Sequence, residues 1–171
     1  KGACQVENTA TVVEVVKQLR KLNWNISEDS LQKGLLNVIS NTGLRGRWEQ
    51  ISLNPTVICD TGHNIHAIDS IVSQLKKETY SCLWIVLGMV ADKDVDGVLE
   101  RLPKDANYVF CQANIPRALS AADLLHKSKS FSLKGIIISD PKKALLKAQE
   151  LANEQDLIFV GGSTFVVAEI L

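Results

Sequence analysis

The chain has 171 residues, enough for one substantial hydrophobic core or for one domain and part of another. Hydrophobic residues make up 46% of it and charged residues 22%, a balance typical of a globular protein and not of a disordered chain. The 19 basic and 19 acidic side chains balance and form no basic run, so the charge gives no reason to expect binding to nucleic acid or to an anionic membrane.

Apolar runs and cysteines narrow the class of protein further. The longest apolar run, residues 83–91, is far shorter than the roughly 20 residues that a membrane-spanning helix needs, so no span is expected. The chain begins KGACQ, without an initiator Met or an apolar targeting segment, which predicts that it starts inside a longer protein. The cysteines lack CxxC spacing and are expected to be buried thiols of a reducing cytoplasm: Cys4, Cys59, Cys82 and Cys111.

Two amphipathic helices are predicted at the start of the chain. Apolar residues recur near a period of 3.6 over residues 12–22 and again over 31–39, and Ser27 is the predicted N-cap of the second helix. The segment 41–50, NTGLRGRWEQ, interrupts the periodicity with two glycines and two arginines. We therefore place a domain boundary between residues 41 and 42.

From residue 56 onward, apolar runs alternate with amphipathic helical segments. The runs lack polar alternation, which predicts strands buried on both faces. Alternating strands and helices predict a mostly parallel sheet with helices on both sides, an α/β three-layer Rossmann-like fold. The run 48–53 is expected to add one antiparallel edge strand. The predicted parallel strands are 56–60, 83–87, 108–111, 136–139 and 157–160.

Polar and glycine-rich residues follow each predicted strand. In an open parallel sheet, ligands bind beyond the carboxyl ends of the strands, where helix N-termini converge. A binding site is therefore expected at that edge, although the sequence contains neither GxGxxG nor the GxxxxGK[ST] phosphate loop. The segments concerned are 60–64, 88–94, 112–117, 139–141 and 161–164.

The first of these segments allows two interpretations. The spacing of Asp60, His63, His66 and Asp69 is compatible with a structural zinc site. That interpretation is the less favoured, because both histidines lie at a helix start and the carboxylate of Asp60 would have to turn back toward them. We favour Asp60 as an acceptor of ribose hydroxyls, with the imidazole of His63 against a sugar or base.

Three other segments have both a structural and a functional interpretation. Arg47 could reach a phosphate with its planar guanidinium, but a solvated arginine at a domain edge is favoured when it is taken alone. Segment 88–94 is best explained as a loop in which Asp94 caps a helix. The GGST segment, 161–164, is either an anion or carboxylate site or a tight glycine turn, and the sequence does not decide between them.

Five segments in order resemble the C-terminal domain of the folylpolyglutamate synthase and dihydrofolate synthase family, within the Mur ligase superfamily. Each segment is a weak signal alone, but together they follow the order of the family's motifs, each next to a predicted strand or helix start. The segments are GRWE (46–49), DTGHN (60–64), GMVADKD (88–94), PRALSAADL (116–124) and GGST (161–164).

The opening segment is also similar to the end of the family's central ATPase domain. There Gln5 and Asn8 match polar positions on the adenine side of the nucleotide. Two residues depart from the family pattern. Ile65 stands where proline commonly follows the HN pair, and Cys4 where an aromatic residue often precedes the glutamine.

The resemblance implies that the chain contains parts of two domains with different roles. Residues 1–41 would be the terminal helices of the ATPase domain and residues 42–171 the glutamate ligase domain, while the phosphate loop, the magnesium ligands and the folate pocket would lie in domains absent from this sequence. It further implies that Arg47 approaches the phosphates, Asp60 the ribose hydroxyls, His63 the sugar side of the nucleotide and Ser163 the incoming glutamate.

The implied activity is that of an ATP- and Mg²⁺-dependent amide ligase in folate biosynthesis. It would add L-glutamate to a folate or to dihydropteroate through an acyl phosphate, as a cytoplasmic monomer, and this chain alone would hold no catalytic residue and be inactive. Three alternatives stay open. They are an autonomous nucleotide- or cofactor-binding α/β module, a regulatory domain without catalysis, and the C-terminal domain of another Mur-type peptide ligase.

Overall fold

The computed structural model describes residues 5–171, which divide into two compact units. The helical unit, described over residues 5–45, contains α1 (Gln5–Lys21), α2 (Glu28–Leu36) and α3 (Val38–Thr42). The Ser27 hydroxyl accepts a hydrogen bond from the Ser30 N–H at 3.0 Å, which confirms the predicted N-cap of α2. The second predicted helix is interrupted at Asn37, where the backbone leaves helical geometry (φ −110°, ψ 24°) between α2 and α3.

The sheet unit, Gly46–Leu171, has a six-stranded sheet of order β1-β2-β6-β3-β4-β5. Only the β1–β2 pair is antiparallel, so the predicted α/β fold with one antiparallel edge strand is confirmed. The strands are β1 (Glu49–Leu53), β2 (Thr56–Cys59), β3 (Leu83–Leu87), β4 (Asn107–Phe110), β5 (Lys134–Ile137) and β6 (Leu157–Gly161). The helices are α4 (Ile65–Leu75), α5 (Val95–Arg101), α6 (Ala121–Ser128), α7 (Pro141–Leu151) and α8 (Thr164–Ile170), and a 3₁₀ helix spans Lys129–Phe131.

Side-chain caps begin the helices that follow β2 and β5. The Asn64 side chain accepts from the Ala67 N–H at 2.9 Å, so α4 starts correctly although Ile65 stands where the family commonly has proline. Asp140 caps α7 ahead of Pro141 in the same way. These caps fix where the chain turns from each strand into the following helix, at the edge where the site is expected.

Two hydrophobic clusters cover the two faces of the sheet. One contains Ile68, Leu99 and Leu124, so α4, α5 and α6 pack on the same face. The other contains Ala148 and Val166, so α7 and α8 pack on the opposite face. The sheet unit is therefore a three-layer sandwich, as the alternation of strands and helices predicts.

Strand β5 differs from its prediction in position and in burial. It covers Lys134–Ile137 instead of 136–139, because Lys134 and Gly135 pair with Asn107 and Tyr108 of β4. Its four residues are exposed, so the prediction of burial on both faces is wrong for this strand. The physical reason is its place at the end of the strand order, where only one side of the strand is paired.

Two of the four cysteines lie in the core of the sheet unit. Cys59 and Cys111 are buried as predicted, whereas Cys82 is only half-buried, and Cys4 lies outside the described residues. Burial, with smaller contributions from the Glu169 and Asp140 charges, raises the pKa of the Cys111 thiol to about 12.

Within residues 5–171, every helix falls short of the length and apolar character that crossing a membrane requires.

Candidate functional site

The strand order creates a crevice at the carboxyl ends of the central strands. Strand β6 lies between β2 and β3. The helices that follow β2 and β3 pack on one face of the sheet, and the helix that follows β6 packs on the other. The connecting loops therefore leave the sheet in opposite directions, which is the arrangement that opens a ligand-binding crevice in parallel α/β folds.

The GRWE and DTGHN segments form the first part of this edge and are joined to each other. The Thr61 N–H donates to the Gly46 carbonyl oxygen at 3.0 Å, and the Arg47 guanidinium donates to the Thr61 hydroxyl. Gly46 has φ 70°, and a Cβ there would lie 2.8 Å from Cγ2 of Thr61. Glycine is therefore required for the close approach of the two segments.

Asp60 is buried between these segments. One carboxylate oxygen accepts from the Trp48 N–H and the other from the Gly62 N–H, both at 2.8 Å. Burial raises the pKa of the Asp60 carboxyl, and the two N–H donors together with the Arg47 charge partly offset that rise. The predicted contact of Asp60 with ribose stays a prediction, and in this structure both oxygens accept main-chain donors.

His63 is half-buried near the end of the β2–α4 connection, and its ring is oriented by the backbone. Its Nδ1 lies 3.0 Å from the Thr61 carbonyl oxygen. Because a carbonyl oxygen only accepts, Nδ1 carries the proton and Nε2 is the nitrogen that can accept a hydrogen bond from a ligand.

The GMVADKD and PRALSAADL segments form the second part of the edge and are likewise joined. Val90 and Ala118 form an antiparallel bridge, and the Ala91 N–H donates to the Arg117 carbonyl oxygen at 2.9 Å. The side chains of Arg117 and Asp92 form an ion pair at 3.1 Å. Asp94 accepts from the Gly97 N–H at 2.9 Å, which confirms its predicted role as the cap of α5.

The GGST segment completes the edge at the start of α8. Gly162 has φ 86°, and a Cβ there would lie 2.7 Å from the Gly88 carbonyl oxygen, so the β3 and β6 ends approach closely only with glycine. Ser163 is 2% exposed, and its hydroxyl accepts from the Phe165 N–H at 3.2 Å. The guanidinium carbon of Arg117 lies 4.9 Å from the Phe165 ring centroid, a cation–π contact.

A cavity of about 100 Å³ lies between these segments. Of the predicted site residues, His63 and Ser163 line it. The sequence interpretation misses the two cations of the lining, Lys93 and Arg117. The signal that could have found them is their place in the connections that follow β3 and β4. The lining residues are His63, Val90, Lys93, Arg117, Ser163, Thr164 and Phe165.

Charge makes this cavity suited to an anion. Lys93 is exposed and forms no ion pair within the part of the chain that the structure describes. Arg117 is also exposed, and its pairing with Asp92 leaves other guanidinium N–H groups for a ligand. Two cations and a hydroxyl donor around a small volume can bind a carboxylate or a phosphate, and Nε2 of His63 can accept from an N–H or O–H of the same ligand.

The other predicted site residues lie elsewhere. Arg47 is exposed beside the cavity-lining loop of His63 and contacts Thr61. Gln5 and Asn8 lie in the first turns of α1, in the helical unit. Residues 5–171 contain no cluster of three or more His, Cys, Asp or Glu side chains that could hold a metal ion.

A three-layer α/β domain with a cationic cavity at the carboxyl ends of its central strands belongs to the class of domains that bind small anionic ligands. Residues 46–164 match the family described as Mur ligase, glutamate ligase domain, and the chain belongs to this family. The match begins at the first residue of the sheet unit and ends at the first residue of α8.

Two curated relatives match almost the whole chain. The probable bifunctional folylpolyglutamate synthase/dihydropteroate synthase of Haloferax volcanii is 30% identical over 98% of this chain and 19% of its own length. The dihydrofolate synthase/folylpolyglutamate synthase of Escherichia coli is 29% identical over 96% of this chain and 37% of its own. The chain thus spans well under half the length of these relatives.

Solved structures show the same relationship. E. coli FolC in complex with DHPP and ADP superposes with a TM-score of 0.77 at 27% identity, over 91% of this chain and 36% of that one. A bifunctional folylpolyglutamate synthase/dihydrofolate synthase with Mn, AMPPNP and L-glutamate bound superposes with a TM-score of 0.72 at 28% identity, over 86% and 34%.

Proposed function

We propose that this chain is the glutamate ligase domain of an ATP-dependent ligase that adds L-glutamate to a folate or to dihydropteroate. The observation that carries the proposal is the cavity at the sheet edge, where His63, Lys93, Arg117 and Ser163 come together from four separate connections. It is supported by the family of the chain and by solved neighbours that hold ADP, AMPPNP, DHPP and L-glutamate.

In the proposed reaction a carboxylate oxygen of the substrate attacks the γ-phosphorus of ATP, and ADP leaves. The amine of glutamate then attacks the acyl phosphate carbon, phosphate leaves, and the amine loses a proton as the amide forms. A divalent cation held by other domains would neutralise phosphate charge. This chain would bind and orient the amino acid and exclude water, because an acyl phosphate exposed to solvent hydrolyses.

The proposed ligand contacts combine the sequence prediction with the observed cavity. Lys93 and Arg117 would bind carboxylate groups of glutamate as cations, and Ser163 would donate a hydrogen bond from its hydroxyl. Nε2 of His63 faces a ligand as an acceptor, and Arg47 on the adjacent loop would pair with phosphate. Gln5 and Asn8 stay predicted contacts of the adenine side.

We propose the same division of the chain as the sequence predicts. Residues 1–41 would be the end of an ATPase domain and residues 42–171 the glutamate ligase domain. Support comes from the helical unit, in which α1, α2 and α3 contain no buried side chain among the described residues 5–45. Their apolar side chains would pack against the preceding domain. We also propose that the complete protein is a cytoplasmic monomer and that it uses Mg²⁺ as its divalent cation.

Isotope-edited NMR on this chain tests the cavity directly. Adding AMPPNP and L-glutamate to ¹⁵N-labelled chain is expected to shift the amide signals of His63, Lys93, Ser163 and Thr164. Lys93→Met should remove the glutamate-dependent shifts, whereas Lys129→Met, at an exposed lysine of the 3₁₀ helix, should not. Equal shifts in the two variants, or tight binding of a dinucleotide in place of glutamate, would contradict the proposal.

Activity needs the complete protein. There, ADP release should depend on L-glutamate together with a folate or dihydropteroate, and comparing the two acceptors identifies the substrate. Lys93→Met should raise KM for glutamate by about tenfold or more and leave KM for ATP unchanged, as expected when a substrate contact is removed. ADP release that ignores glutamate would show that the ligase assignment is wrong.

A further inference from the structure

The helices α4 and α5 start directly after two loops that supply cavity residues. His63 lies two residues before Ile65, the first residue of α4, and Lys93 lies two residues before Val95, the first residue of α5. The side chains of His63 and Lys93 both line the cavity. Contacts between the two helix starts therefore influence the spacing between these two side chains.

Ile65 packs on Gly97, in the first turn of α5. A Cβ at Gly97 would lie 2.7 Å from Cδ1 of Ile65, so no residue larger than glycine fits there without displacing the isoleucine. Ile65 is half-buried, and the two hydrophobic clusters found within residues 5–171 do not include it. Shortening its side chain therefore leaves those clusters in place and changes the contact between α4 and α5.

The same glycine is held by the cap of α5. The Gly97 N–H donates to Oδ1 of Asp94 at 2.9 Å, and a Cβ at Gly97 would lie 2.5 Å from Oδ2 of that carboxylate. Asp94 directly follows Lys93 in the chain. The residue on which Ile65 packs is therefore joined by one hydrogen bond to the neighbour of the cavity lysine.

A second contact joins the two helices one turn further along. Nε of Arg101 pairs with Oδ1 of Asp69 at 3.3 Å, and Nη1 of the same arginine donates to the Gly97 carbonyl oxygen at 2.8 Å. Asp69 lies four residues after Ile65, and Arg101 lies four residues after the glycine, so the same faces of α4 and α5 meet at consecutive turns. The two helix starts are therefore held in one register.

We propose that Ile65 is a positioning residue, which acts on the bound amino acid by holding His63 and Lys93 at a fixed spacing around the cavity. This inference rests on the proposed function, since it takes L-glutamate as the ligand of Lys93. Its structural basis, the contact of Ile65 with Gly97, is independent of that function.

The first test needs no activity. In the ¹³C,¹⁵N-labelled chain, a nuclear Overhauser effect is expected between the δ1 methyl group of Ile65 and the α protons of Gly97. Ile65→Ala should shift the amide signals of Lys93 and Asp94. The matched control is Ile138→Ala, at another half-buried isoleucine, which packs on the opposite face of the sheet and should leave both signals unchanged. A missing Overhauser effect, or equal shifts in the two variants, would overturn the proposal.

The second test determines in the complete ligase whether Ile65 acts through Lys93. Ile65→Ala is expected to raise KM for glutamate by about tenfold. In a Lys93→Met background it should add almost nothing, because a spacing between two contacts no longer matters once one contact is removed. In a Ser163→Ala background it should keep its full effect, because Ser163 caps α8 on the opposite face of the sheet. Equal factors in the two backgrounds would show that I65A only loosens the domain and would refute the positioning role.

A size exchange at the contact gives a third measurement. Gly97→Ala is expected to raise KM for glutamate, since its Cβ would meet Ile65 and Asp94. Ile65→Val removes only Cδ1 and should raise KM by a smaller factor. The double variant I65V/G97A should have a lower KM than G97A, because valine vacates space that the new methyl group needs. A KM of the double variant at or above that of G97A would contradict the proposal.

The two levels of failure can be told apart. If the complete wild-type protein shows no glutamate-dependent release of ADP, the proposed function fails, and the NMR experiment still decides whether Ile65 joins the two helix starts. If the wild type is active but I65A leaves KM for glutamate unchanged, the positioning role fails and the ligase assignment stands.

Discussion

The two units of the chain contain similar apolar residues but use them differently. In the sheet unit, leucine, isoleucine and valine side chains form two clusters that cover both faces of the sheet. In the described part of the helical unit, α1, α2 and α3 bury none of their side chains. Both units show the 3.6-residue period of amphipathic helices, so periodicity predicts a helix and its apolar face but not whether anything covers that face.

Local interactions account for the helices of the helical unit. The Ser27 hydroxyl caps α2, Lys33 pairs with Asp29 at 2.8 Å within it, and Gln18 donates to Glu14 at 2.6 Å on α1. Such exposed pairs contribute little to stability, because solvent screens them. The sheet unit is instead stabilised by burial, so substitutions of the same chemical kind should have very different consequences in the two units.

Leucine-to-alanine substitutions measure this difference most directly. Leu99→Ala in α5 is expected to lower the free energy of unfolding by about 2–5 kcal/mol, because Leu99 is 0% exposed and its loss leaves a cavity. Leu36→Ala in α2 should change it by less than about 0.5 kcal/mol, because that side chain is 65% exposed. Urea denaturation followed by circular dichroism measures both. Similar losses in the two variants would mean that the helical unit is buried in solution.

Glycine-to-alanine substitutions should differ even in sign. Gly162→Ala is expected to destabilise the sheet unit by at least about 1–2 kcal/mol, because φ is 86° and a Cβ would lie 2.6 Å from Cδ1 of Leu87. Gly34→Ala in α2 should stabilise the helical unit by up to about 1 kcal/mol, since a Cβ there has no atom within 4 Å and alanine is the better helix former. Thermal unfolding measures the effect of Gly162→Ala, and circular dichroism of the helical signal measures the effect of Gly34→Ala. A G162A variant as stable as the wild type would contradict the close approach of β3 and β6.

The smallest expected difference between the two units is in the pKa values of one carboxyl group from each, Asp60 and Glu14. Burial raises the pKa of Asp60 above its ordinary value of 3.8, whereas the hydrogen bond from Gln18 and the charge of Lys17 lower the pKa of exposed Glu14 below 4.5. Carboxyl ¹³C NMR against pH measures both values. Titration of Asp60 below 3.8 would mean that its two N–H donors outweigh its burial.

The raised pKa of Asp60 also fixes the sign of a stability effect. Folded Asp60 binds its proton more tightly than unfolded Asp60, so its contribution favours the folded state at low pH and is lost as pH rises from 3.8 through the raised pKa. The stability of the wild type relative to D60N should therefore increase as the pH falls through that window. The opposite trend would contradict the raised pKa.

Much of the fold follows from local patterns. Ser27 and Asp94 cap helices at predicted positions because a side-chain oxygen ahead of an apolar stripe satisfies free N–H groups locally. Strand β5 is mispredicted because Lys134 and Gly135 carry no apolar signal; they join the sheet only through pairing with β4. Lys93 and Arg117 were missed as cavity residues because segments 88–94 and 116–124 are separate in sequence and meet through the Val90–Ala118 bridge.

The sequence by itself determined the order of strands and helices, the parallel α/β class and the polar edge, because burial and capping leave periodic and positional signals along the chain. Only the tertiary structure decided that β6 lies between β2 and β3, which loops line the cavity, and that Asp60 holds Trp48. Strand order and these contacts depend on packing between residues far apart in the chain, and no local pattern encodes that free energy.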